Sequence, residues 1–129
     1  MEIIRLKTTA ELLNHKGRKA VAVLDDYAYD EGAVGVIAEK KALVILVAFD
    51  SLLTAHGMAR ARLFSKMRNF LKLCARFGAL YAIGFEADAR TGKYAVREQQ
   101  ETIVVGQLLG LNRGQAKMAS ARFKDLFVK

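Results

Sequence analysis

The sequence predicts an α/β protein built on a parallel sheet with alternating helices. Three observations carry that reading. Residues 20–24 (AVAVL), 42–49 (ALVILVAF) and 79–85 (ALYAIGF) are short, continuous apolar runs, the pattern of strands buried on both faces. Between them lie segments with apolar residues at helical spacing, above all residues 58–77. The links are short, so strands and helices alternate, as a parallel sheet with right-handed crossovers requires.

In chain order, residues 2–7 alternate partly through Ile3, Ile4 and Leu6 and read as a first strand. Thr8 and Glu11 have the spacing of a capping box, which predicts a short helix to about His15. Residues 16–19 turn the chain into the second strand. A polar loop over 25–32 and a helix over 33–41 follow it. Residues 50–57 lead from the third strand into the central helix. There Leu63, Met67, Phe70, Leu71, Cys74 and Phe77 fall on one face at about 100° per residue. Arg62, Ser65, Arg68, Asn69, Lys72 and Arg76 fall on the other, with Lys66 on the border. Gly78 suits a left-handed cap, and Lys72 and Arg76 oppose the helix dipole in the last turn. After the fourth strand, residues 86–95 read as a charged loop and 96–109 as a helix ended by Gly110. Asn112 caps a last helix over 113–122, with Phe123, Leu126 and Phe127 docking the tail.

At 129 residues and 53% hydrophobic content, residues 1–129 are expected to form a single domain with a real core. No apolar run approaches the ~20 residues of a bilayer span. Charges interrupt the N-terminus where a signal peptide would be apolar. The one cysteine, Cys74, lies on the apolar helix face and reads as a buried, inert thiol in a reducing compartment, hence a cytoplasmic protein. The net charge of +8 is unevenly placed. Residues 1–50 hold seven Lys/Arg against eight Asp/Glu, whereas residues 51–129 hold fourteen against five. The stretch 51–85 contains Arg60, Arg62, Lys66, Arg68, Lys72 and Arg76 and no acidic residue. It lacks the Glu-to-Lys pairs of a neutral solvated helix, so it predicts a face for a polyanion, most often nucleic acid. Arg90, Lys93, Arg113 and Lys117 extend the same basic excess.

An enzyme is the alternative. Asp25, Asp26, Asp50, Glu86 and Asp88 follow strands, where the active sites of parallel α/β folds lie. Convergence of Asp25, Asp50, Glu86 and Asp88 would suit Mg²⁺ and a small metal-dependent phosphoesterase. Asp after a strand is equally ordinary turn and capping chemistry. Arg90-Thr91-Gly92-Lys93 is not a phosphate loop, because Ala87 stands where the pattern needs Gly and Tyr94 where it needs Ser or Thr. His15 and His56 show no metal-ligand spacing. A third reading is a structural α/β partner for a companion chain.

From Gly32 onward the chain carries GAVGVIAEKKALVILVAF, then SLLTAHGMARARLFSKMRNFLKLCARFG and LYAIGFEADA, then Tyr94-Ala95-Val96-Arg97 and GQLLGLNRGQAKMA. In that order these segments resemble the barrel-type protein subunit of archaeal and eukaryotic ribonuclease P, called protein component 3 in archaea. The resemblance implies a partial or truncated TIM-like barrel, since the family's first strands have no counterpart here. It implies a protein without chemistry of its own that supports a catalytic RNA in removing the 5′ leader of precursor tRNA. Ribonuclease P RNA, precursor tRNA and protein component 2 are the implied partners, with no membrane. No cofactor belongs to the protein, because Mg²⁺ would belong to the RNA. Arg62, Lys66 and Arg97 match the family's basic positions. Few strands leave open edges, so either a second copy, protein component 2 or RNA is expected to cover them, or the sheet is a compact open one.

Overall fold

The computed structural model describes residues 2–92 and 96–127, with the backbone alone for residues 96–98. The order is β1 (Ile3–Thr8), a 3₁₀ helix (Thr9–His15), β2 (Val21–Asp26), α1 (Glu31–Lys40), β3 (Val44–Ala48), α2 (Asp50–Thr54), α3 (Gly57–Phe77), β4 (Tyr81–Gly84), α4 (Glu86–Thr91), α5 (Val96–Leu108) and α6 (Arg113–Phe127). The strands form one four-stranded sheet in the order β1-β2-β3-β4, with every neighbouring pair parallel. The α/β class and the parallel sheet are as the apolar runs require.

Strand alternation divides the interior in two. Leu24, Ile45, Val47, Tyr81 and Ile83 enter one core with Leu12, Val34, Ile37, Phe70, Leu71 and Cys74 from the three crossover segments. Val21, Val23, Val44, Leu46 and Ala82 face the other way, into a smaller core with Ala89, Phe123 and Phe127. All three crossovers therefore cover the same face, and α6 covers the opposite one. The sixth helix straddles the β4 edge. Ala116 and Ala119 join the first core, while Phe123 and Phe127, with rings 5.0 Å apart, join the second. Phe123 lies against Gly84, where a Cβ would stand 2.7 Å from its ring. On the edge itself, Arg122 Nη1 donates to the Tyr81 carbonyl at 2.6 Å.

The central helix has the phase its periodicity demands. Phe70, Leu71 and Cys74 are buried and Lys72 and Arg76 exposed. Gly78 ends it with φ 70°, in the left-handed region. Burial pushes the Cys74 thiol up to about 12, consistent with an inert side chain.

Three local expectations are corrected. Thr8 makes no side-chain cap; instead the Glu11 carboxylate accepts from Lys7 N at 2.8 Å, and the segment winds as a 3₁₀ helix. Residues 86–91 are not loop but α4, because Asp50, 36 residues earlier, accepts from the backbone N–H of Glu86 at 2.6 Å. Phe123, Leu126 and Phe127 belong to α6 rather than to a tail beyond it. Their spacing already repeats a helical face.

Gly84→Ala is expected to cost about 1–3 kcal/mol by overpacking, read as a lowered urea midpoint. Combined with Phe123→Leu it should lose less than the sum of the two single changes, since both act on one packing site. Strict additivity would show that Phe123 does not rest on Gly84. Leu71→Ala should cost about 2–5 kcal/mol.

Candidate nucleic-acid interface

The basic face of the molecule is set by α3. Its apolar stripe is fixed in the first core, so the residues opposite must project outward, and Arg62, Lys66, Arg68, Lys72 and Arg76 are all exposed. Arg60 is also exposed but sits elsewhere: at about 100° per residue it falls with the apolar stripe. It lines a cavity of 140 Å³ with Leu52, Leu53, Phe64 and Phe85.

The lack of acidic residues within the helix does not leave all its cations unpaired. Lys66 Nζ meets Asp26 of β2 at 2.8 Å, and Arg76 Nη1 meets Glu31 of α1 at 3.0 Å. Both pairs are solvent-exposed, a class that contributes about 0–1 kcal/mol, so a phosphate competes readily with either carboxylate. Arg62, Arg68, Lys72, Arg113 and Lys117 form no ion pair among the described residues.

Lys72 and Arg76 make a ridge between two grooves. One, of 340 Å³, lies between α3 and the α5–α6 turn and is also lined by Leu71, Leu109, Gly110 and Gln115. Arg68 runs beside the same turn, its Nε 3.5 Å from where a Cβ of Gly110 would stand. The other groove, of 260 Å³, is lined by Tyr29, Asn69 and Leu73 together with the two cations. Beyond the turn, Asn112 Oδ1 accepts from Gln115 N at 2.7 Å and Gln115 Oε1 from Asn112 N at 3.0 Å. This reciprocal cap fixes the start of α6, as predicted for Asn112, and leaves Arg113 and Lys117 exposed on it. Lys93 and the Arg97 side chain lie outside the described residues.

Arg90 does not join this face. Its Nε and Nη2 contact Glu86 Oε2 at 2.9 and 2.8 Å, within a network at the carboxyl ends of the strands. There Asp25, Asp50 and Glu86 do converge, on a cavity of 170 Å³ shared with Arg5, Tyr27 and Ser51. Asp88 is not part of its lining. The carboxylates already have partners. Arg5 donates to both Asp25 and Glu86, Arg90 takes the second Glu86 oxygen, and the Asp50 oxygens accept from Glu86 N and Ala87 N. Burial acts to raise the Glu86 carboxyl, but hydrogen bonds from Arg5 and then Arg90, with their charges, outweigh it and hold it below the ordinary value of 4.5. The same contacts, Glu86 first and Asp25 second, raise the Arg5 guanidinium. Among the described residues, no three His, Cys, Asp or Glu side chains are grouped to hold a metal ion.

Sequence reading missed Arg5, Tyr29 and Glu31. Arg5 interrupts the apolar residues Ile3, Ile4 and Leu6 of β1, and Tyr29 is an aromatic residue in a polar loop; both are visible signals. The role of Glu31 emerges only in space. Comparison with protein-family models, with curated proteins and with solved structures finds no match.

Because its folded carboxyl is depressed, Glu86 contributes stability that is present above the ordinary value of 4.5 and lost as pH falls through the lowered one. Glu86→Gln should therefore flatten the fall of stability as pH drops below the ordinary value of 4.5. An acid limb as steep as the wild type's would show that Arg5 and Arg90 do not depress that carboxyl.

Proposed function

We propose that this chain is a non-catalytic RNA-binding protein, acting as the barrel-type subunit of ribonuclease P in removing the 5′ leader of precursor tRNA. The observation that carries RNA binding is the α3 ridge: Arg62, Arg68, Lys72 and Arg76 exposed along one helix that is anchored through its buried stripe. Arg113 and Lys117 of α6 add exposed cations beyond the adjoining turn. The ribonuclease P part rests on the resemblance of residues 32–129. The winding of the sheet is in keeping with it. Strand order follows chain order with every crossover on one face, which is how a segment of a TIM-like barrel is wound. In this reading α6 lies across the face that further strands of a barrel would enclose. Ribonuclease P RNA, precursor tRNA and protein component 2 are the partners, Mg²⁺ belongs to the RNA, and the setting is the cytoplasm.

The phosphoesterase reading has one observation in its favour, the convergence of Asp25, Asp50 and Glu86. Against it, Arg5, Arg90 and backbone N–H groups already donate to Asp25 Oδ1 and to both oxygens of Asp50 and of Glu86, so a metal or a proton would compete with those donors. Those contacts tie β1, β2 and α4 together, which is a structural task.

Binding to folded RNA should weaken linearly in log–log salt titrations, as condensed counterions are released. Replacing Arg62, Arg68 and Lys72 by Ala should lower affinity across RNAs and shallow the slope by roughly 0.7–0.9 for each phosphate no longer neutralised. Stability should change by less than ~0.5 kcal/mol for each substitution. The same triple change should depress precursor-tRNA cleavage by the reconstituted RNA–protein complex. Cleavage by the protein alone, abolished by Glu86→Gln, would sink the non-catalytic reading.

A further inference from the structure

The second groove differs from a plain phosphate track. Tyr29 is 61% exposed, although it carries a large aromatic ring. It is nonetheless held in place. Its hydroxyl donates to Glu31 Oε1 at 2.6 Å, and Arg76 Nη1 donates to the same oxygen at 3.0 Å. One carboxylate oxygen thus clamps a tyrosine and an arginine side by side at the groove's rim. The hydroxyl bond from Tyr29, followed by the Arg76 charge, keeps the Glu31 carboxyl below its ordinary range, so the clamp is ionised at neutral pH. Asn69 offers the same groove both a donor and an acceptor, and Leu73 gives it an apolar floor.

Resting on the RNA-binding reading above, we propose that this groove takes one unpaired nucleobase, stacked on Tyr29 and met by Asn69, with Lys72 and Arg76 on its phosphates. Chemistry and size both point that way. An exposed aromatic ring beside cations and an amide is the set of groups that recognises splayed-out bases, since stacking supplies energy and the amide reads a base edge. At 260 Å³ the groove falls just under the ~300–1,000 Å³ of sites for larger ligands, which suits a single base. The ridge of Lys72 and Arg76 continues directly into the 340 Å³ groove along the α5–α6 turn, so a strand leaving the base site has a cationic path to follow. A duplex, with its bases stacked and paired, reaches the cations but not the ring. Glu31 accepts from the Tyr29 hydroxyl and would repel a phosphate placed at the ring, whereas only Nη1 of Arg76 is engaged by Glu31, which favours the base at Tyr29 and the backbone at the two cations.

The test uses the intact protein with two probes of equal length. One is a single-stranded RNA with a central 2-aminopurine, and the other is a blunt duplex RNA. Wild type should quench the 2-aminopurine on binding, and Tyr29→Phe should preserve that quenching because the ring is kept. Tyr29→Ala should abolish it and weaken single-strand binding by roughly five- to a hundredfold, while leaving the duplex within about twofold. Lys72→Ala should weaken both probes. If Tyr29→Ala leaves single-strand binding unchanged, or weakens both probes equally, the base site is wrong while RNA binding stands. If the wild type binds neither probe, both readings fall. Tyr29 is on the surface, so an unaltered thermal midpoint for Tyr29→Ala verifies that folding is not the cause.

Discussion

A parallel sheet must be covered on both faces, and in this chain that requirement falls on α6. Three crossovers protect one face, because the strands follow chain order without reversal. The other face is apolar through Val21, Val23, Val44 and Leu46 and would be exposed to water without Phe123 and Phe127. The helix gets there by passing over the β4 edge, which it also satisfies through Arg122 and the Tyr81 carbonyl. The approach is close enough that a Cβ at residue 84 would force the Phe123 ring to shift. Gly84 is therefore a packing position rather than a flexible one. The opposite edge, β1, has no such cover among the described residues, but its Arg5 and Lys7 are the kind of charges that discourage strand pairing.

This arrangement also sets where chemistry is available. α3 is held by its apolar stripe from Leu63 to Phe77, so its outer face contributes little to the fold and is free to vary in charge. At the carboxyl end of the sheet the situation is reversed. Arg5 links β1 to Asp25 at the end of β2 and to Glu86 at the start of α4, and Asp50 starts that helix. Glu86 is only 14% exposed, so its charge needs those partners to offset the loss of water.

Much of the fold was legible from the sequence, for physical reasons that vary by element. The inner strands could be read because strands buried on both faces must be continuously apolar, and 42–49 is the clearest run. The phase of α3 could be read because periodicity is a local property of the chain. The cap of α4 could not, since Asp50 is remote in sequence and local propensity saw only charges between 86 and 95. The same limit hid the ion pairs of Lys66 and Arg76, whose partners lie on β2 and α1. Of the candidate site, the outward cations of α3 were legible, whereas the misplaced Arg60 and the sequestered Arg90 were not. Arg60 could have been set aside by carrying the helical phase one turn further back.

The basic face of α3 and the carboxylates at the strand ends differ in the state of their polar atoms rather than in their number. A carboxylate that is to hold a metal or move a proton must have lone pairs to give, and must not be locked against a guanidinium. Asp25, Asp50 and Glu86 meet in one cavity yet are engaged, so their convergence alone is not evidence of chemistry. A cation that is to hold a phosphate needs N–H groups facing water, on a support that costs nothing to organise. Arg62, Arg68 and Lys72 have that, and Arg76 has it in part, since only Nη1 is engaged by Glu31. The same comparison explains Arg90, a cation by sequence whose Nε and Nη2 both face Glu86. Judged atom by atom, the balance of available donors over available acceptors lies on α3, and the α3 ridge is where a polyanion has most to gain.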